Sequence, residues 1–457
     1  MERVLLVNPF VYDFTAFDFW AKPRGLLDLG GMLSRLGLAV DFVDCMSKED
    51  RDMAAFAASR PEIEKPKLKK YGTGSYFREE APKPAGLKAM PRRFFRFGFH
   101  PGLLRRRLES LPSPPRLIGV TGIMTYWNRG VKDTIAVLRQ CFPGVPVVLG
   151  GIYPTLAPNH AEAESGAQII FKGRATRERV VELLDEAGLG RRVEAGGAGP
   201  PYYPYPDPPY GILSTSEGCM KKCTYCASRV LQPRFIEHDM QRVLGNMKHL
   251  YERGIRDFAF YDDFLLHRRK ERLLPLLEKV IAHMPAARFH TPNGLLLAHV
   301  DGETAALMKK SNFKTLRFGF ETADPGLGRR TGFKIDREGF RKKIAVLRDA
   351  GFENERIGIY IMVGLPGQPV RDVEESIRFV KDCGVDANLT EFSPVPGTPE
   401  FRRALRESAV DFESDTELQN NTLLPLRSPV FTNDVLNRLK NLSYSAQLRA
   451  EGNLSPV

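Results

Sequence analysis

The sequence predicts an α/β protein built in two successive parts: a doubly wound parallel sheet over residues 1–190 and a partial (β/α)6 barrel over 211–400, with a short helical tail at 401–457. Three features of the 457-residue chain carry that reading. Short apolar runs of strand length alternate with helix-length amphipathic patterns in two separate series, the pattern of parallel sheets flanked by helices. A stretch crowded with Gly, Pro and Tyr over 191–210 divides the two series and has the composition of an interdomain linker. The length itself exceeds what one hydrophobic core usually supports, so two domains and an appendage are expected.

The first series opens with a strand at 4–7, a helix at 25–36 and a strand at 40–43. It resumes with a strand at 117–121, a helix at 131–141, strands at 145–149 and 168–171, and a helix from Thr176. Between the two halves lies 51–115, dense in prolines and in bases such as Lys65, Lys67, Lys69, Arg105, Arg106 and Arg107, which reads as a long, partly irregular insertion. Within it Arg92-Arg93-Phe94-Phe95-Arg96-Phe97-Gly98-Phe99 interleaves arginine with phenylalanine. Such a stretch could engage a lipid surface or a phosphate-bearing substrate, or form a solvated cover whose aromatics pack on their own domain.

The second series places strands at 211–215, 257–261, 288–291, 315–320, 357–362 and 387–392, with helices between them such as 240–253 and 370–383. Six βα units make a partial barrel, in which chemistry sits at the C-terminal strand ends. Beyond Phe401 the pattern supports only helices and a mixed tail.

Apolar residues make up 42% of the chain and charged residues 27%, the balance of an ordinary soluble globular protein, which excludes a disordered or fibrous chain. No run approaches the roughly 20 apolar residues of a membrane-spanning helix. Met1-Glu2-Arg3 leads straight into the first strand without the length or cleavage site of a signal peptide, so the expectation is a cytoplasmic protein with no transmembrane segment. The net charge of +12 points toward anionic partners or substrates. Nucleic acid is the least favoured of these, because no RNA-binding module accompanies the basic stretch.

Of the six cysteines, Cys45, Cys141 and Cys383 are scattered, while the other three lie in Glu217-Gly218-Cys219-Met220-Lys221-Lys222-Cys223-Thr224-Tyr225-Cys226, directly after the first strand of the second series. That is no disulfide framework and fits reducing conditions. Thiolates are soft ligands suited to zinc or to iron–sulfur clusters. Structural zinc usually takes four ligands in two paired knuckles, and there is no second pair here. Three cysteines on a four-iron cluster leave one iron with an open coordination position.

This CxxxCxxC spacing, with an aromatic before the last cysteine, resembles the signature of the radical S-adenosylmethionine (SAM) superfamily. The resemblance implies that Cys219, Cys223 and Cys226 hold a [4Fe-4S] cluster whose open iron takes the amino and carboxylate groups of SAM. The reduced cluster would cleave SAM to methionine and a 5'-deoxyadenosyl radical. By the same resemblance Tyr225 lies beside SAM, although core packing explains a bare aromatic equally well. Asp262 or Asp263, ending Phe260-Tyr261-Asp262-Asp263, would accept the SAM amino group, with a helix N-cap the competing role for Asp263. Glu321, in Arg317-Phe318-Gly319-Phe320-Glu321-Thr322, would lie near the SAM ribose and carboxylate, or else be a buried carboxylate paired with Arg317. Gly364 and Pro366, in Val363-Gly364-Leu365-Pro366-Gly367-Gln368, resemble the turn beneath the adenine, where glycine lets backbone approach a ligand. Phe392-Ser393-Pro394-Val395-Pro396-Gly397-Thr398-Pro399 resembles a segment of the branch that carries a cobalamin-binding domain.

In the first series Leu149-Gly150-Gly151-Ile152-Tyr153-Pro154, followed by Gly173, resembles the double-glycine region of that branch's Rossmann-like, cobalamin-binding-type domain. Gly150, Gly151 and Tyr153 would border the corrinoid's nucleotide tail between sheet and helix. Asn8, Asp44, Met124 and Tyr126, in the other strand-end loops, would face the corrin. The resemblance spans about residues 1–400. It departs in two places: Met46 stands where a cobalt-ligating histidine would follow Asp44, and Arg174 where an acidic residue is usual. A retained fold without corrinoid is the alternative to cobalamin binding.

With [4Fe-4S], SAM and cobalamin together, the resemblance implies a methyltransferase acting on an unactivated carbon or phosphorus of a small or lipid-like metabolite. Electrons would come from a donor such as flavodoxin or ferredoxin. The same architecture also serves cyclisation, rearrangement and sulfur insertion; for the last a further cluster is expected, and Cys45, Cys141 and Cys383 form no second motif. A non-catalytic carrier of corrinoid or cluster is the reading from another class, and the complete set of SAM-facing strand ends argues against it.

Overall fold

The structure, a computed structural model, describes residues 2–88, 90–190, 201–408, 410–423 and 430–444. The first half of the expected linker, 191–200, and the end of the tail lie outside the described residues. The chain divides into two compact units, one of Met1–Pro208 with Phe412–Leu418, the other of Pro209–Asp411 with Gln419–Val457.

In the first unit β1 (Arg3–Asn8), β2 (Ala39–Asp44), β3 (Leu117–Gly122), β4 (Val147–Gly151) and β5 (Ile169–Ile170) form one sheet in the order β2-β1-β3-β4-β5. Every neighbouring pair is parallel. The sheet grows one way from β1 to β2 and the other way from β3 onward. That reversal is the switch point of a doubly wound fold, and ligands bind outside the carboxyl ends of the strands there. Val4, Leu5, Leu6 and Val7 are all buried because a parallel strand is covered on both faces. Helix Arg24–Arg35 supplies part of one cover, packing Leu26 and Leu33 with Val4, Leu6, Val180 and Leu184.

The insertion is more regular than its composition suggests. It contains helices Arg51–Ala58 and Pro101–Glu109. Strand Phe95–Phe97 pairs antiparallel with both Val11–Asp13 and Arg78–Glu80. Phe94, Phe95, Phe97 and Phe99 are buried, while Arg105 and Arg106 stay exposed. Phe95 and Phe97 share one face of the strand with Arg96 between them, where it pairs with Glu79, so the aromatics face their own domain.

Two boundaries differ from the sequence reading. Residues 201–208, expected as linker, belong to the first unit: a side chain at Gly30 would stand 2.5 Å from the Tyr202 ring, and Tyr203 and Tyr205 are buried. Tyrosine buries a large apolar body while its hydroxyl finds a partner, so a tyrosine-rich segment packs where a Gly/Ser linker would not. The tail is not a continuous helical appendage either. Helices Pro399–Glu407 and Asn433–Ser443 flank Phe412–Leu418, which joins the first unit through the buried Phe412 and a 2.8 Å hydrogen bond from Asn128 Nδ2 to Thr416 Oγ1.

In the second unit β6 (Gly211–Leu213), β7 (Asp257–Phe260), β8 (Arg288–His290), β9 (Phe313–Glu321), β10 (Ile357–Val363) and β11 (Asp386–Glu391) lie side by side in chain order. All pairs are parallel and the sheet is open between β6 and β11, a partial barrel. Phe258, Phe260, Phe289 and Phe313 stack in the sheet, with the Phe260 and Phe289 centroids 5.3 Å apart. Three crossover helices start where an aspartate accepts from a first-turn N–H: Asp239 ahead of Met240–Glu252, Asp301 ahead of Gly302–Lys310 and Asp336 ahead of Arg337–Asp349. Helix Val370–Asp382 buries Val373, Ser376, Ile377 and Val380, the i, i+3, i+4, i+7 stripe of a helix covering a sheet.

Candidate active site at the strand ends of the second unit

The cysteine loop leaves the end of β6 and returns to an antiparallel ribbon in which Ser216 pairs with Glu237 and Glu217 with Ile236. Asp262, at the end of β7, braces its base: the carboxylate accepts from Thr215 N at 2.9 and 3.0 Å, from Thr215 Oγ1 at 2.6 Å and from Ser216 Oγ at 2.7 Å. At 3% exposure Asp262 is engaged by three protein donors, chiefly through Oδ1, which takes three of these four contacts. Asp263 is the exposed member of the pair, and its charge acts on Cys219. The capping role does not hold for it, because 263–272 form bends and turns and the next helix, Leu273–His283, begins behind Arg272.

Backbone amides point at two of the three sulfurs: Lys221 N donates to Cys219 Sγ at 3.4 Å, and Ser228 N to Cys226 Sγ at 3.4 Å. Such bonds favour the thiolate. Burial pushes the Cys219 and Cys223 thiols up, and at Cys223 the nearby Lys334 ammonium opposes that. Cys226 is exposed. Among the described residues no three His, Cys, Asp or Glu side chains converge on a single metal-ion position. Three thiolates from one loop are a soft donor set of the kind that holds three irons of a four-iron cluster. The donor set fits the cluster.

Glu321 ends β9 at φ +72, a left-handed conformation uncommon for a side-chain-bearing residue, where the pairing with β10 shifts register. Its buried carboxylate accepts from Lys334 Nζ. The alternative partner expected for it, Arg317, instead bonds its own strand at Leu316 O, at 3.1 Å. Burial lowers the Lys334 pKa, but the Glu321 carboxylate outweighs that and the net shift is upward. Glu321 and Lys334 line a pocket with Thr322, Thr331, Gly332 and Phe333. The Tyr225 hydroxyl is buried against the Cys223 thiol, and the ionisable groups acting on it are Glu321, Cys223 and Cys226.

A second set of ties holds the loop from behind. Glu400 N donates to Thr224 O at 3.1 Å and Thr224 Oγ1 donates to Glu400 Oε1 at 3.0 Å, while Arg330 stands 3.5 Å from Glu400 Oε2. Arg330 Nη2 also donates to Pro366 O at 3.0 Å, so one cation links the cysteine loop to the turn after β10. That turn is closed by Gln368, whose Oε1 accepts from Gly364 N at 2.9 Å and Leu365 N at 3.1 Å; Gly364 sits at φ +86. Lys334, Arg330 and Glu400 were not singled out from the sequence. Glu400 follows the Phe392–Pro399 segment by one residue, and that proximity was the available signal.

In the first unit the predicted residues divide into two kinds. Asn8 Nδ2 donates to Asp44 Oδ1 at 2.7 Å, Met46 N donates to the same oxygen at 3.0 Å, and Tyr205 donates to Asp44 Oδ2 at 2.7 Å. Tyr153 is fully buried with its hydroxyl 2.7 Å from His160 Nδ1, and burial raises its pKa. These groups serve each other. Met124 is exposed, and Tyr126 packs against Trp127 with its pKa raised by burial. At Gly150 an added side chain would meet Phe171 O at 3.8 Å, an ordinary contact distance. Gly151, at φ +102, would place one 2.8 Å from Gly122 O. Met46 joins a cluster with Val11, Tyr76, Phe95 and Phe97, so the residue standing where a histidine would follow Asp44 is a core side chain.

Residues 213–380 match the family model of the Radical SAM superfamily. An uncharacterized methyltransferase of Pyrococcus horikoshii is 29% identical over 198 residues, 42% of this chain and 41% of that protein. The ribosomal protein uS12 methylthiotransferase of Bacteroides thetaiotaomicron is 25% identical over 187 residues, 39% of this chain and 42% of that protein. The matches thus span about two fifths of the length of these curated relatives. Among solved structures, the radical SAM methyltransferase TsrM of Kitasatospora setae, with cobalamin and a [4Fe-4S] cluster bound, aligns at a TM-score of 0.68 and 16% identity, covering 98% of this chain and 92% of that one. The cobalamin-dependent radical SAM enzyme OxsB aligns at 0.54 and 11% identity, covering 99% and 62%. Residues 213–380 of the second unit thus carry the Radical SAM match, and the chain shares its fold with TsrM and OxsB.

Proposed function

We propose that the chain is a cobalamin-dependent radical SAM methyltransferase acting on an unactivated carbon or phosphorus of a small or lipid-like metabolite in the cytoplasm. The observation that carries this reading is the pairing, in one chain, of a three-cysteine loop at the strand ends of a partial barrel with a doubly wound sheet whose strand β4 ends in Gly150 and Gly151. When bound, the cluster and SAM supply a 5'-deoxyadenosyl radical and cobalamin supplies the transferable methyl group.

Cys219, Cys223 and Cys226 would hold three irons and leave the fourth open for SAM. Asp263, exposed beside Cys219, would accept from the SAM amino group; Asp262 holds the loop that places it. Tyr225 and Glu321 would border SAM from the β9 side, and Gly364 and Pro366 from the turn after β10. In the first unit Gly150, Gly151 and Met124 would meet the corrinoid directly, while Asn8, Asp44 and Tyr205 fix the neighbouring strand ends. Among the described residues no helix is long and apolar enough to cross a membrane.

The test is anaerobic reconstitution with iron, sulfide and hydroxocobalamin, metal analysis, and a dithionite-driven assay with SAM. Near-stoichiometric cobalt with both 5'-deoxyadenosine and S-adenosylhomocysteine as products is expected. Iron and 5'-deoxyadenosine without cobalt would overturn the methyl-transfer reading and leave cyclisation, rearrangement or sulfur insertion. An iron-loaded protein that leaves SAM intact would point to a carrier.

A further inference from the structure

We infer that the buried Lys334–Glu321 ion pair sets the electrostatic environment of the cluster, with Lys334 favouring its reduced form and Glu321 opposing it. The inference rests on the radical SAM reading and concerns the step before any substrate chemistry, the entry of one electron. The segment bearing Lys334 lies directly on the cysteine loop. A side chain added at Gly332 would stand 2.8 Å from Cys223 Cα and 3.1 Å from Cys223 Sγ. Thr224 N donates to Thr331 O at 3.2 Å and Lys221 Nζ to Phe333 O at 2.9 Å, so the segment is fixed against the cysteine loop at Cys223 and at loop positions beside it.

The pair itself is nine-tenths buried, with side-chain exposures of 12% for Lys334 and 10% for Glu321. Its charges reach the thiols: Lys334 interacts with Cys223 and Cys226, and Glu321 with Cys223. Gly319 leaves the space beneath them, since any side chain there would collide with Lys334 Nζ and Glu321 Oε1. The left-handed backbone at Glu321 holds the carboxylate in place at a conformational cost that a surface ion pair would not repay. Charges removed from water act over several ångströms with little screening. Adding one electron makes the cluster more negative, so a fixed cation beside it stabilises the reduced state and a fixed carboxylate destabilises it. Lys334 is on this account a positioning residue acting through the cluster, not a group that touches substrate.

The experiment is a dithionite titration of the anaerobically reconstituted full chain without SAM, followed by the electron paramagnetic resonance signal of the reduced cluster. Lys334→Met is expected to shift the midpoint potential to more negative values, Glu321→Gln to more positive values, and Lys334→Arg to leave it near wild type. The double variant Lys334→Met with Glu321→Gln should fall between the two single variants, and it removes the burden of an unpaired buried carboxylate should Lys334→Met alone fold poorly. Full clusters with the wild-type potential in both Glu321→Gln and Lys334→Met, or in Glu321→Gln alone should Lys334→Met not fold, would overturn the inference while leaving the functional reading intact. A wild-type chain that forms no four-iron cluster would overturn both.

Discussion

The strand ends of the two units solve different problems with similar residue types. In the second unit three thiols of one loop lie beside a buried tyrosine hydroxyl and a pocket walled by an ion pair. In the first unit the polar strand-end residues have spent their valences on one another, Asn8 on Asp44, Tyr205 on Asp44 and Tyr153 on His160, and what is left facing outward is glycine backbone and Met124. Residues that will hold a metal must be left unsatisfied by the fold, whereas a large, flat cofactor can be received by shape, through backbone that no side chain obstructs.

The largest effects that separate the two ends come from removing their defining residues. Cys219→Ala, Cys223→Ala or Cys226→Ala should each abolish SAM cleavage and most iron binding while leaving cobalt uptake unchanged, and Cys383→Ala should leave both intact. Gly151→Val should do the reverse, because its φ of +102 and the 2.8 Å approach to Gly122 O exclude a side chain. Metal analysis of the reconstituted variants reads both arms, and loss of both metals in either variant would break the division.

A smaller effect tests whether the cysteine loop depends on its neighbour's backbone. Gly332→Ala places a methyl 2.8 Å from Cys223 Cα at φ +107, where a left-handed alanine already costs about 1–2 kcal/mol. The variant is expected to lose most of its iron. Gly254→Ala, at φ +93 with nothing within 4 Å, carries the dihedral strain alone and should keep it.

How much of this was legible in the sequence follows the same division. The cysteine loop was readable because three ligands of one kind within eight residues have no bland explanation, and the two parallel-sheet series followed from the alternation of strand and helix patterns. Asp262 and Asp263 could not be told apart, since adjacent carboxylates differ only in which way the turn faces them, and that is decided by Thr215 and Ser216. Lys334 was one lysine among many, and its importance comes from a glycine, Gly319, that leaves it room. Tyr205 looked like part of a spacer until its hydroxyl met Asp44 across 161 positions of sequence. Long-range satisfaction of polar groups leaves little local trace.

Glu400 sharpens the comparison at the level of stability. Its carboxylate is 4% exposed and serves Thr224 and Arg330 together. Glu400→Ala should cost about 3 kcal/mol, the usual scale for breaking a buried pair from one side. Glu400→Gln, which still accepts from Thr224, should cost less. Denaturant midpoints give the cost, and iron retention after gel filtration shows whether the loop loosens with it. An alanine variant as stable as wild type would mean that the ribbon at Ser216 and Glu237 suffices to hold the loop.

The smallest effect lies at the first unit, in the returning segment. Burial, reinforced by Asp415 and Asp133 and opposed by Arg129, pushes the Glu417 carboxyl up to about 7. A carboxyl whose folded pKa lies above its unfolded value near 4.3 favours folding most in its protonated form. That contribution is therefore complete below about pH 4 and is lost as pH rises through about 7. His160, 3.5 Å from Thr416 in the same segment, titrates with the opposite sign, because burial lowers its pKa and its protonation at low pH works against the folded state. The difference between wild type and Glu417→Gln isolates the carboxyl. Melting temperatures should agree within about a degree at pH 4, and the glutamine variant should be higher by a few degrees at pH 8. Equal melting at both values would mean that water reaches Glu417, and that the first unit's returning segment is as open as the cysteine loop it is being compared with.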